Sequence, residues 1–263
     1  MVNNLFGERI LIMGKKEINT CMYINQEMIF IPNLGLEDSV DWHVILSNTF
    51  WWLSLVLVAI AYRYRNIWKV GGTPWTFLFL TFLFFGIREL GHFSASPLIG
   101  SVRYIFGTWA AIFMSSALFS IYMRLCRKES GKMVTYTPFV LALLVPVVWF
   151  YGYSTAPGNL ENFMLFNESL VWLIGGSITV YTTYMLGAQA TGNFVKVFML
   201  FQFSAFFAII WKLLRLLELE GNPISYHVIE SFETMFGVFA ILAMLVLTQM
   251  LRKLSRQLYS HKS

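Results

Sequence analysis

The stretch GIRELGHF (86–93) sets Glu89 and His92 three residues apart, and SYHVIESFE (225–233) sets His227 and Glu230 at the same spacing in reverse order. Residues three apart on a helix share one face, about a turn from each other. Imidazole and carboxylate together suit zinc or iron, and helix-borne Glu-x-x-His is a unit that carboxylate-bridged di-iron bundles use on two helices. If the two segments run antiparallel and side by side, His92 comes level with His227 and Glu89 with Glu230. Four such donors at one depth would make a transition-metal site. The additional glutamate pair of a di-iron bundle is missing, since only Glu233 remains one turn below Glu230. One metal is therefore expected rather than two.

Cations crowd the same zone. Arg88 adjoins Glu89, Arg103 opens the next apolar run, and Lys212 and Arg215 stand in AIIWKLLRLLELE (208–220). Three readings compete. In the leading functional one, His92, His227, Glu89 and Glu230 ligate zinc or iron, while Arg88, Arg103, Lys212 and Arg215 hold an anionic group beside it. A metal-activated water attacking a lipid or peptide bond is then the natural chemistry. In the second, the protein is a sensor or receptor that binds a small anionic ligand or lipid headgroup and signals to a separate cytoplasmic or membrane partner. In the third, the four cations neutralise Glu89, Glu230 and Glu233 as helix contacts, as in an accessory subunit of a membrane complex. Charges within membrane helices are costly, so by default they face the bundle interior and pair.

The elements that carry these residues read as membrane helices. Of 263 residues, 57% are hydrophobic and 13% charged, about half the ~25% of a soluble domain. A spanning helix needs about 20 mostly apolar residues. Seven segments qualify: 44–62, 74–93, 98–123, 137–153, 168–188, 194–217 and 226–250. Turn formers join them, among them VGGTP (70–74), STAPGN (154–159), ATGN (190–193) and EGNP (220–223).

Lysine and arginine set the orientation. Arg63, Arg65 and Lys69 follow the first span, Arg124, Arg127, Lys128 and Lys132 the third, and Arg252, Lys253, Arg256 and Lys262 the seventh. Glu37, Asp38, Asp41, Glu161, Glu168, Glu218 and Glu220 fall on the opposite side. The expectation is an all-α integral membrane protein of seven spans, amino terminus outside and carboxyl terminus cytoplasmic, in the cell membrane. Residues 1–40 are expected to form a poorly ordered extracytoplasmic extension, 41–251 the bundle and 252–263 a short basic cytoplasmic tail. The extension does not read as a signal peptide, and Met22 or Met28 are alternative starts. Asp38 and Asp41 are placed to cap the first helix.

Several classes are excluded. The net charge of +5 sits in short clusters beside apolar runs, as topology signals do, and not in a nucleic-acid-binding patch. Residues 226–250 contain no lysine, which removes a retinal Schiff base in the seventh span. Cys21 and Cys126 make neither a metal spacing nor a disulfide framework. His43 stands at the outer start of the first span and His261 in the tail, both weak candidates for the cluster. The fifth span interleaves hydroxyls with small residues in GGSITVYTTYMLG (175–187), read as interior packing. The sequon Asn167-Glu168-Ser169 lies where a helix start would leave no room for a glycan.

Overall fold

A backbone immersed in lipid must satisfy its own hydrogen bonds, and a helix does so within one segment. The computed structural model describes residues 42–68, 70–93, 97–127 and 132–260. Among them are seven long helices: α1 Trp42–Tyr62, α2 Thr73–Leu90, α3 Pro97–Leu125, α4 Lys132–Thr155, α5 Leu160–Gln189, α6 Asn193–Leu219 and α7 Tyr226–Ser260. A single helical turn, Arg65–Trp68, follows α1. Six of the seven are long and apolar enough to cross a membrane; α2, with Arg88 and Glu89 within its 18 residues, is not among the six. The chain is a polytopic helical membrane protein. The amino-terminal extension, Cys21, Met22, Met28, Glu37, Asp38, Asp41, the side chain of His43, Lys69, Lys128 and residues 261–263 lie outside the described residues.

The helices match the seven apolar segments, with four boundary shifts: α2 ends at Leu90, and His92, expected on the same helix as Glu89, lies in the 3-10 turn Gly91–Phe93 that follows. α5 begins at Leu160 and not near residue 168, α4 begins at Lys132, and α7 continues through the basic stretch to Ser260. The joints are closed by glycines in the left-handed region, Gly192 at φ 61° and Gly221 at φ 89°, where other residues are strained.

Six helices close a ring in the order α1, α2, α3, α5, α6, α7, with α7 returning to α1. α2 and α7 pack on opposite sides of α1 and are not next to each other in the ring, unlike the side-by-side placement expected for the metal site. They meet through side chains across the ring, Phe85 with Phe236 and Arg88 with Glu233. Its centre is aromatic. Trp51 of α1 lies 4.1 Å from Phe85 of α2 and 4.8 Å from Phe236 of α7, ring centre to ring centre. Trp172 of α5 stands 5.1 Å from Phe236, and Trp211 of α6 6.2 Å from Phe85. These five side chains are fully buried. Between helices in lipid no hydrophobic effect operates, so close packing carries the association. The Gly175–Gly176 pair serves that end. A Cβ on Gly175 would lie 3.2 Å from the Ala111 carbonyl of α3, and one on Gly176 2.7 Å from Ile209 of α6. The buried threonines 179, 182 and 183 donate to their own helix backbone, consistent with an interior packing role for this face.

α4 is the exception. It stands outside the ring against α3, with only 11% of its span buried, against 39–72% for the other five. Pro146 has no N–H to give the Ala142 carbonyl one turn back. That carbonyl is taken instead by the Trp109 indole N–H of α3 at 2.8 Å, and the Trp149 indole donates to Ser101 Oγ at 3.1 Å. Two tryptophans thus pin an otherwise lipid-facing helix.

Candidate functional site

Each helix of the ring carries a buried stripe at helical spacing, and on four of them the stripe includes charge. On α2 it runs Leu78, Phe82, Phe85, Glu89, and on α7 Ile229, Glu233, Phe236, Ala240. On α6 it is Phe201, Ala205, Ala208, Lys212, and on α5 Met164, Glu168, Trp172, Gly175. The charged members converge one to two turns inside the expected outer end, directly above the aromatic centre. Arg88 lies over the Phe85 and Trp211 rings at 5.1 and 4.9 Å, and Lys212 over Trp211 at 3.8 Å, favourable positions for cations taken out of water.

Arg88 is the hub. Its Nε donates to Glu168 Oε1 at 3.0 Å and its Nη1 to Glu233 Oε1 at 2.9 Å and to Glu89 Oε1. Lys212 Nζ donates to Glu168 Oε2 at 2.5 Å. Arg215 Nη2 donates to Glu230 and its Nη1 to Glu218 Oε2 at 2.9 Å. Arg88, Glu89, Glu168, Lys212, Glu230 and Glu233 are at most 4% exposed. Room for the Arg88–Glu168 pair comes from Gly107 of α3, where a Cβ would stand 2.7 Å from Glu168 Cδ and 2.9 Å from Arg88 Cδ.

A second, shallower set adjoins it. Arg103 donates to Tyr104 Oη at 2.8 Å, to Glu161 Oε1 at 3.3 Å and to His92 Nδ1 at 3.1 Å. Guanidinium only donates, so Nδ1 accepts and the imidazole proton resides on Nε2. That nitrogen stands 3.9 Å from Glu89 Oε2, and His92 is 17% exposed. Glu89 Oε2 itself is buried, and among the described residues it accepts no hydrogen bond.

No protein-family model, curated protein or solved structure matches this chain.

Of the residues singled out from sequence, Glu89, His92, Arg88, Arg103, Lys212, Arg215, Glu230 and Glu233 do gather at one end. His227 does not. It is exposed at the start of α7, with its ring against Tyr226. Glu230 is held by Arg215 and Glu89 by Arg88, so the four proposed ligands do not face a common point. Among the described residues no three His, Cys, Asp or Glu side chains are arranged to hold a metal ion. A four-ligand zinc or iron centre does not fit this donor set. The anionic-ligand reading meets a similar obstacle: Arg88, Arg103, Lys212 and Arg215 each already face a carboxylate.

Glu168 is the residue the sequence reading misplaced. Put among the outer-side acids, it is fully buried, two turns into α5, and bridges Arg88 and Lys212. The sequon it belongs to is inside the helix, with Asn167 donating to the Phe163 carbonyl. The signal was present: Glu168 falls in the same helical register as Met164, Trp172, Gly175, Thr179 and Thr182, which no loop acid would keep.

Proposed function

We propose that the protein is a seven-span membrane sensor, in the cell membrane with its amino terminus outside, whose buried cluster takes up one positive charge from the outer side. The observation that carries this is a charge count. Among the described residues, Glu89, Glu168, Glu230 and Glu233 are four buried carboxylates, and the cations that pair with them are three, Arg88, Lys212 and Arg215. Arg215 is shared with the more exposed Glu218 and Arg103 is taken by Glu161, which leaves at least one buried negative charge in excess. An unneutralised charge at such a site costs several kcal/mol even after relaxation, on the order of the penalty for any buried ion. A proton is the smallest charge that closes the balance, and Asp/Glu/His chains in membranes commonly relay protons. His92 stands where such a relay would start, half-buried, with its Nε2 proton aimed at Glu89. Because the cluster joins α2, α5, α6 and α7, its occupancy bears on the packing of four helices at once, as a switch element must.

α2 has the length to span in this arrangement, about 27 Å for 18 residues, and it packs between α1 and α3. The basic ends of α3 and α7 supply a cytoplasmic surface for a separate partner. Infrared difference spectroscopy on purified protein tests the reading. A protonated carboxyl C=O band is expected in the wild type, altered in Glu89→Gln or Glu230→Gln, with hydrogen–deuterium exchange of that band slowed by His92→Phe. Elemental analysis of the same sample reports whether a metal ion supplies the charge instead. A folded protein with neither the band nor a bound cation would refute the proposal.

A further inference from the structure

A cavity of about 830 Å³ lies between the peripheral helix α4 and the wall of the ring formed by α3 and α5. Its size is within the ~300–1,000 Å³ of small-molecule sites, but its chemistry differs from theirs. Such sites keep a few polar groups aimed at the ligand; here the hydroxyls are turned away. Thr108, Ser115, Ser116, Thr137, Ser177 and Thr182 line the space, and every one donates its proton to a carbonyl of its own helix. Asn167, also on the wall, donates its amide to the Phe163 carbonyl. Apart from Tyr181 at one end, what remains facing the space is mainly carbon, from side chains such as Leu141, Leu144, Val171, Ile174 and Ile178.

The shape follows from how α4 is held. A small apolar cluster of Tyr104, Val145, Leu160 and Met164 closes α4 against α3 and α5 near the expected outer end. Further along, α4 stays on α3 through Trp109 but makes little contact with α5. The lining runs from residue 164 to 182 on α5, roughly 27 Å at the rise of a helix, and from 137 to 148 on α4, roughly 16 Å. Half of a hydrocarbon core is about 15 Å thick. The slot therefore runs along the helix axes, and between α4 and α5, where contact is sparse, its lining residues Leu144, Ile174 and Ile178 are exposed to the bilayer side.

We propose that this slot is a binding site for one alkyl chain of a bilayer phospholipid, entering laterally between α4 and α5. The occupant is set by three features together: walls that are almost wholly apolar, a length along α4 that matches one leaflet, and an opening at the depth where chains are the solvent. The inference is independent of charge uptake at the buried cluster and holds or fails without it.

The test uses the full chain in nanodiscs containing a trace of phosphatidylcholine with a diazirine in one acyl chain. After irradiation, crosslinks are mapped to peptides. Crosslinks are expected to concentrate within 108–119, 137–148 and 164–182. They should fall at least fivefold there in the filled double variant Ser116→Phe/Ile178→Trp and remain unchanged in Leu143→Trp, a substitution on the exposed face of α4. Each variant is compared with wild type by size-exclusion profile and melting temperature; if the double variant misfolds, Val171→Phe alone replaces it. Label spread evenly over all lipid-facing helices, or unchanged in a folded filled variant, would overturn the proposal. So would labelling of these peptides by a diazirine fatty acid but not by the phospholipid.

Discussion

The excess of carboxylates over cations has an asymmetric consequence for stability. Lys212 is fully buried and its Nζ lies 2.5 Å from Glu168 Oε2. Lys212→Met keeps the length of the side chain and removes the charge, so Glu168 retains only Arg88 at 3.0 Å and the imbalance grows from one negative charge to two. Removing one partner of a buried pair costs about 3–5 kcal/mol, because the other charge is left uncompensated. Glu230→Gln acts in the opposite sense. It brings the cluster to three carboxylates and three cations and keeps an oxygen to accept from Arg215, so a change within about 1 kcal/mol is expected. At about 2–4 °C per kcal/mol for a chain of this size, Lys212→Met should melt roughly 6–20 °C below Glu230→Gln in one detergent. Adding Glu168→Gln to Lys212→Met should recover part of the loss, giving a coupling energy of about 0.5–3 kcal/mol in a double-mutant cycle. Equal melting of the two single variants, or a greater loss in Glu230→Gln, would show that the charge count is wrong.

Two further outcomes follow from particular atoms. Gly107→Ala should destabilise by about 1–3 kcal/mol, the cost of overpacking, since its methyl would run into the Glu168 carboxylate of α5, 2.7 Å from its Cδ; Gly187→Ala, on α5 with its nearest neighbour at 4.0 Å, serves as the control and should be neutral or mildly stabilising, and equal melting of the two would contradict the close approach of α3 and α5. Cys126, just past the end of α3, tests the orientation in a Cys21→Ser background: an impermeant maleimide should reach it from the cytoplasmic side only. Burial, partly offset by Arg127, pushes its thiol up, and only the thiolate reacts, so labelling should be slow at pH 7 and rise about tenfold per pH unit towards the ordinary thiol range; labelling from the outside only would invert the topology.

Much of the architecture was legible along the chain, because lipid permits few solutions: long apolar runs become helices, and short basic clusters sit between them. The ends of α1, α3 and α6 fall within two residues of the apolar segments that announced them. Where the reading slipped, polar residues were the reason. LENFMLFNES (160–169) looks like a loop to a hydropathy reading because it holds two glutamates and three amide-bearing or hydroxyl side chains. It is helix because Glu161 and Glu168 find Arg103 and Arg88, which lie 58 and 80 residues away in the chain. A local window cannot contain partners at that distance.

The same division holds for the site. Residue type and spacing alone determined that Arg88, Glu89, Lys212, Arg215, Glu230 and Glu233 would sit on helices near one end of the bundle. They also determined that these charges would turn inward, since lipid offers them nothing. Which atoms meet was decided by the tertiary structure. Only the closing of α1, α2, α3, α5, α6 and α7 into a ring aims Arg88 at Glu168 and Glu233, exposes His227, and leaves α4 outside. The physical reason is that helical periodicity fixes the direction of a side chain from its own axis, whereas the neighbour it meets depends on how tightly glycines such as 107, 175 and 176 let the axes approach.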